Sequence, residues 1–288
     1  MFGENGIVPI EAIINAIFDG PPSMQRDGTA LLLVPASSLN EKIEMLLNGI
    51  SECSKYPVKN PDCSELANYL LEFLQITEQW EKVIPVLKKA AAVYSKKKSY
   101  KDARFGDSYS SISTVLGVAL HNTENLEGAI RLFRKVLSFD KSKNPDSNNT
   151  VDSLNNLANA LLDKCQFKEA LELFNQALEA ADNNSDITID LLAKIHNNIA
   201  YMHKEQDNFQ LAEEFYLKSL LILDSSDDYL AIGTTIFNLA RVEMRLKKDA
   251  VALKHLESAL ELVEGRLDEG HTLIEVIKKN MKLLINDK

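Results

Sequence analysis

The strongest constraint on this chain is a unit of about 41 residues that recurs along it. SLNNLANALLDKCQFKEALELFNQAL begins at Ser153, KIHNNIAYMHKEQDNFQLAEEFYLKSL at Lys194 and TIFNLARVEMRLKKDAVALKHLESAL at Thr235. STVLGVALHNTENLEGAIRLFRKVL precedes them from Ser113, and ELANYLLEFLQITEQWEKVIPVLKKA starts at Glu65. Anchored on Leu70, Leu116, Leu157, Ile199 and Leu239, the spacings are 46, 41, 42 and 40. Thirteen residues after each anchor stand Val83, Ala129, Ala170, Ala212 and Ala252. Four further on come Leu87, Phe133, Phe174, Tyr216 and Leu256, then after three more Ala90, Val136, Ala177, Ser219 and Ala259. The residue after the anchor is small in four units: Gly117, Ala158, Ala200 and Ala240.

Each unit therefore carries two apolar stripes at helical spacing, parted by a short polar turn such as Asp163–Gln166 or Glu205–Asn208. Two amphipathic helices joined by so few residues must run antiparallel. The small residues admit close approach, and the large residue of the second helix fills the space between hairpins. One hairpin cannot bury its own apolar face, so neighbours must stack into a solenoid. With only 11 Gly and 8 Pro in 288 residues, breakers are scarce, which favours long helices.

The small–aromatic–small pattern of Ala170, Phe174 and Ala177, repeated in Ala129 with Phe133 and Ala212 with Tyr216, resembles the tetratricopeptide repeat (TPR) family. The likeness covers roughly residues 62–264, about 70% of the chain. The units are longer than the common 34-residue TPR. The run Asn155-Asn156-Leu157-Ala158, echoed by Asn197-Asn198-Ile199-Ala200 and Asn238-Leu239-Ala240, resembles the long repeats of kinesin light chain. The resemblance implies an all-α, right-handed superhelical TPR solenoid of about five helix hairpins, at about 62–97, 106–141, 150–182, 188–224 and 228–264. Residues 1–61 are expected to form a helical lead-in or cap. Within them Pro9–Phe18 and Glu41–Cys53 are amphipathic, and 20–37 read as irregular. Glu41–Cys53 is either a missing hairpin partner or a capping helix. Residues 271–286 fit a C-terminal capping helix.

Composition excludes several classes. Hydrophobic residues at 45% and charged residues at 26% are those of a packed protein rather than a disordered one. A net charge of −10 repels phosphate backbones, so nucleic acid is not the expected partner. No apolar run approaches the ~20 residues that cross a bilayer, so no membrane insertion is expected. Cys53, Cys63 and Cys165 are odd in number and form no C-x-x-C, which fits reduced thiols in a cytoplasmic protein. The sequence shows no phosphate-binding glycine loop, H-E-x-x-H or G-x-S-x-G. His196 and His203 lie seven apart on one helical face, but no carboxylate or thiol supports them there as metal ligands. Neither catalysis nor a cofactor or metal is expected.

One column stands out. Asn156, Asn198, Asn238 and Asn280 each precede the first-helix anchor position in successive units. In TPR proteins the matching column faces the concave groove, where an Asn amide can both donate to and accept from an extended peptide backbone. The alternatives are that these asparagines tie helices together or sit on a solvated face. Residues three and seven after, or four before, share the same face. The peptide-binding candidates are therefore Asn156 with Asn159; Lys194, Asn198 and Tyr201; and Asn238, Arg241 and Arg245. The two arginines suit an acidic or C-terminal carboxylate end of a ligand, unless Glu205 or Glu243 pairs with them. Chaperone-binding TPRs use a Lys with an Asn four later, then an Asn, then a basic pair. Lys194, Asn198 and Asn238 match, but Val276 and Asn280 stand where that pair belongs.

The expected function is a non-enzymatic adaptor that binds a peptide segment of a partner protein. Two alternatives remain: a ligand-responsive sensor whose superhelix changes on binding, and a scaffold or self-assembly module acting through convex or terminal surfaces.

Overall fold

The computed structural model describes residues 36–60, 62–97, 103–267 and 270–286. Among them are twelve α-helices and no β-strand. The segment Pro9–Phe18 and residues 20–35 of the expected lead-in lie outside the described residues. The chain divides after Pro145 into two compact units. The first holds α1 (Ala36–Lys55), α2 (Ser64–Thr77), α3 (Trp80–Lys97), α4 (Arg104–Asn122) and α5 (Leu126–Lys143). The second holds α6 (Asn148–Asp163), α7 (Phe167–Asp182), α8 (Ile189–Glu205), α9 (Phe209–Ile222), α10 (Tyr229–Arg245), α11 (Asp249–Val263) and α12 (Thr272–Asn286). A short 3₁₀ turn, Leu223–Ser225, follows α9.

The repeat pattern is a packing pattern. All five anchors are buried, as are all fifteen residues of the three second-helix columns from Val83 to Ala259. Phe133, Phe174 and Tyr216 are among the largest fully buried side chains. The polar exception in these columns, Ser219, satisfies its hydroxyl by donating to the Ala193 carbonyl at 2.9 Å. Small residues beside the anchor set the distance of approach: a Cβ on Gly117 would stand 2.4 Å from the Phe133 ring. Overpacking there forces the ring or backbone aside.

The turns inside the hairpins share one backbone solution. Glu78, Glu124, Cys165, Asp207 and Lys247, each eight residues after its anchor, have φ of 55°, 62°, 58°, 57° and 60°. Where the left-handed residue is Glu124, Cys165, Asp207 or Lys247, the next N–H donates back five residues. Asn125 reaches Leu120 at 2.8 Å, while Gln166 to Leu161, Asn208 to His203 and Lys248 to Glu243 are each 2.9 Å. This is the Schellman closure, which satisfies carbonyls left open at a helix end. The following first helices are capped from the linkers. Ser147, Thr188 and Asp228 accept from backbone N–H groups of α6, α8 and α10.

In the first unit α1 packs against both α2 and α3, burying Ile43, Leu46, Leu47 and Ile50. Glu41–Cys53 thus lies within a helix that both helices of the 62–97 segment contact. A buried polar contact sits beside it. The Tyr94 hydroxyl donates to the Asn60 carbonyl at 2.7 Å and lies 3.0 Å from the Cys63 sulfur.

Candidate functional site

The eight candidate residues lie on α6, α8 and α10, the first helices of three successive hairpins in the second unit. The structure divides them into two groups. Along α6 and α8 the polar groups are engaged with one another. Asn198, 9% exposed, donates to Asn155 Oδ1 at 2.9 Å, and Asn155 is fully buried. Asn156, 7% exposed, donates to Asp152 on its own helix at 2.8 Å. Lys194 crosses from α8 to Asp152 at 3.0 Å and to Asn156 Oδ1 at 3.4 Å. Asn159 is half-buried on the same helix. At the next junction Thr235 on α10 takes the facing place, 3.3 Å from Asn197 Oδ1, while its hydroxyl donates to the Ala231 carbonyl at 2.7 Å. Asn198 is therefore a tie between neighbouring hairpins, which is the alternative the sequence left open for it.

Toward α10 the groups open. Asn238 is half-buried and has no hydrogen-bond partner among the described residues. Phe237 takes the place that Asn155 and Asn197 hold in the two preceding repeats, and it is buried. Arg241 and Arg245 are exposed, one turn apart. Each lies over a ring, Arg241 over Phe237 at 5.7 Å and Arg245 over Phe209 at 4.5 Å. Neither pairs with Glu205 or Glu243 in the way the sequence allowed. Arg245 reaches Asp207 at 3.5 Å, an exposed contact of small worth. Glu243 is buried and bonded to His255 Nδ1 at 2.7 Å.

These residues border a cleft of about 300 Å³ lined by Lys204, Glu205, Asp207, Phe209, Arg241, Met244, Arg245 and Asn280. It unites the end of α8, the left-handed Asp207 turn, α10 and α12. Three cations edge it: Arg241 has no ion-pair partner among the described residues, and Arg245 has the 3.5 Å contact with exposed Asp207. The third, Lys204, pairs with Glu205 at 2.8 Å and lies over the Tyr201 ring at 4.2 Å. Burial lowers the Lys204 pKa below its ordinary value, Arg241 acts the same way, and Glu205 opposes both. Burial also pushes Tyr201 up to about 12, with the Glu205 and Asp163 charges adding to it and Arg241 opposing. Tyr201 is therefore protonated at neutral pH. The cleft joins positive charge to an apolar edge of Met244 and Phe209, a surface suited to a carboxylate next to an apolar group.

Sequence reasoning missed Lys204, Phe209 and Met244 as lining residues, and Asn155 and Asn197 as ties. The doubled Asn-Asn was the available signal for the ties, since two adjacent asparagines cannot share one helical face. His196 and His203 are not set up for a metal. Both rings stack on Phe215, at 5.9 and 5.5 Å, and burial lowers both pKa values.

A tetratricopeptide repeat family model matches residues 109–183 and 191–265, just over half of the chain. The chain belongs to the tetratricopeptide repeat family. Its fold is that family's all-α repeat fold, with long units like those of kinesin light chain. Solved structures agree. BtubC (BKLC) from P. vanneervenii is 16% identical with a TM-score of 0.56, the match covering 85% of this chain and 92% of that one. A putative kinesin light chain from P. anserina with nearly identical TPR-like repeats is 17% identical with a TM-score of 0.51, covering 69% and 95%. The apo quorum sensor NprR from B. thuringiensis is 15% identical with a TM-score of 0.59, covering 96% and 79%. At these identities the likeness is one of fold.

Proposed function

We propose that this TPR protein is a non-enzymatic, cytoplasmic adaptor that binds a peptide segment of a partner protein along α6, α8 and α10. In this reading the ligand backbone bonds to Asn238 and to the free acceptor of Asn198. An acidic side chain or C-terminal carboxylate of the ligand meets Arg241 and Arg245. Asn156, Asn159, Lys194 and Tyr201 border its path. The observation that carries the reading is the pair of arginines, held over aromatic rings and edging a cleft with an apolar side. The rings hold them without neutralising their charge, Arg245 makes only a long contact with exposed Asp207, and their remaining donors stay available to a carboxylate. Net charge −10 argues against nucleic acid as the partner.

Selection from a random peptide display library tests this. The immobilised chain should enrich sequences with acidic residues or an acidic C-terminus. The Arg241→Glu/Arg245→Glu variant should lose that enrichment. Equal enrichment on both would refute the placement of the ligand.

A further inference from the structure

The face of α9 opposite its buried side carries Leu211, Glu214, Leu217, Lys218 and Leu221. At 100° per residue these five fall within about a third of the helix circumference. Leu217 is 50% exposed and Leu221 77%. The flanking second helices show that the repeat does not require apolar residues there. The positions matching Leu217 are Asn175 on α7 and Glu257 on α11, and those matching Leu221 are Glu179 and Glu261. All four are exposed. Only the middle second helix of this unit turns two leucines outward from positions where its neighbours present polar groups.

The pattern is its own complement. Leu211 and Leu221 are equidistant from residue 216, and so are Glu214 and Lys218. An antiparallel copy of the helix, related by a two-fold axis at that point, sets Leu211 against Leu221 and Glu214 against Lys218 in both directions. The two Leu217 side chains then meet near the axis. A parallel copy in register would oppose like charges. Within one chain Glu214 and Lys218 pair at 2.7 Å, and both are about half exposed, so they can exchange partners at little cost. We propose that the outer face of α9 is an isologous docking surface for a second copy of this chain, with the two α9 helices antiparallel.

The strip is one helix wide, well short of the ~800 Å² per partner of a standard interface. The dimer should therefore be weak and form only at high protein concentration. Sedimentation equilibrium of the full chain from micromolar to millimolar concentration reads it. The wild type should pass from monomer to dimer across that range. Leu217→Glu with Leu221→Glu should weaken association at least about tenfold while the melting curve stays put, since both side chains point to solvent. Glu214→Lys alone and Lys218→Glu alone should each weaken it, and the combined swap should restore it, because it re-creates opposite charges at both contacts between copies. A chain that stays monomeric at millimolar concentration overturns the proposal. So does a dimer indifferent to the leucine change, or one that the combined swap does not restore, which would place the contact elsewhere. If the leucine variant fails to fold, the charge series alone decides.

Discussion

Two stretches of one helical face differ in what they do with the same residue column. Between α6 and α8 the asparagines are consumed: Asn198 bonds to buried Asn155, and Lys194 holds Asp152 and Asn156. Toward α10 the column opens: Asn197, the counterpart of Asn155, faces Thr235 at 3.3 Å rather than Asn238, and Asn238 has no hydrogen-bond partner among the described residues. A change of partner across one junction thus leaves the equivalent amide available. A repeated polar residue is not a repeated function, and the residue it meets across the hairpin junction decides which role it takes.

The largest effect should come from breaking what both stretches share. Phe174 is fully buried between stacked helices, so Phe174→Ala should cost about 3–5 kcal/mol in urea unfolding. A change below about 1 kcal/mol would mean the site collapses around the loss.

The next experiment separates the two stretches. Asn198→Ala leaves Asn155 Oδ1 buried without a donor, which should cost about 1–3 kcal/mol. Asn238→Ala removes no bond of the described structure and should cost under about 0.5 kcal/mol, as surface substitutions do. Equal costs would erase the distinction. Asn198→Asp is a sharper variant, because a carboxylate facing Asn155 Oδ1 cannot donate as the amide does at neutral pH.

A smaller effect probes the turns. Lys247 holds φ of 60°, a region that favours Gly. Lys247→Gly should raise stability by a few tenths of a kcal/mol, the relief of strain being partly offset by unfolded-state entropy. A loss of stability would show that the lysine side chain supports the turn.

The helical hairpins and their buried columns were legible because a 3.6-residue period and a fixed 40–42-residue spacing report burial directly. The turns were not. Glu78, Glu124, Cys165, Asp207 and Lys247 share no chemistry, yet share one backbone conformation. Hairpin closure and the Schellman bond impose it, and residue type does not. The candidate face was legible as a face but not as two roles, since hydrogen bonds between hairpins depend on registry across about 40 residues of sequence. The outward leucines of α9 were hidden for a different reason. A helix apolar on nearly every side reads in sequence as wholly buried, and only comparison with α7 and α11 in place shows which side is open.

The central claim is that the α10 end of this face receives an acidic peptide. Calorimetric titration of the tightest acidic peptide from the display selection tests it, using the wild type and the Asn238→Ala/Arg241→Glu/Arg245→Glu variant at low and high salt. The account predicts at least about tenfold weaker binding by the variant at low salt, from one lost hydrogen bond and two reversed charges. It also predicts a difference that narrows as salt rises, because exposed charges are screened. A variant that melts like the wild type and binds the peptide equally well would contradict the account.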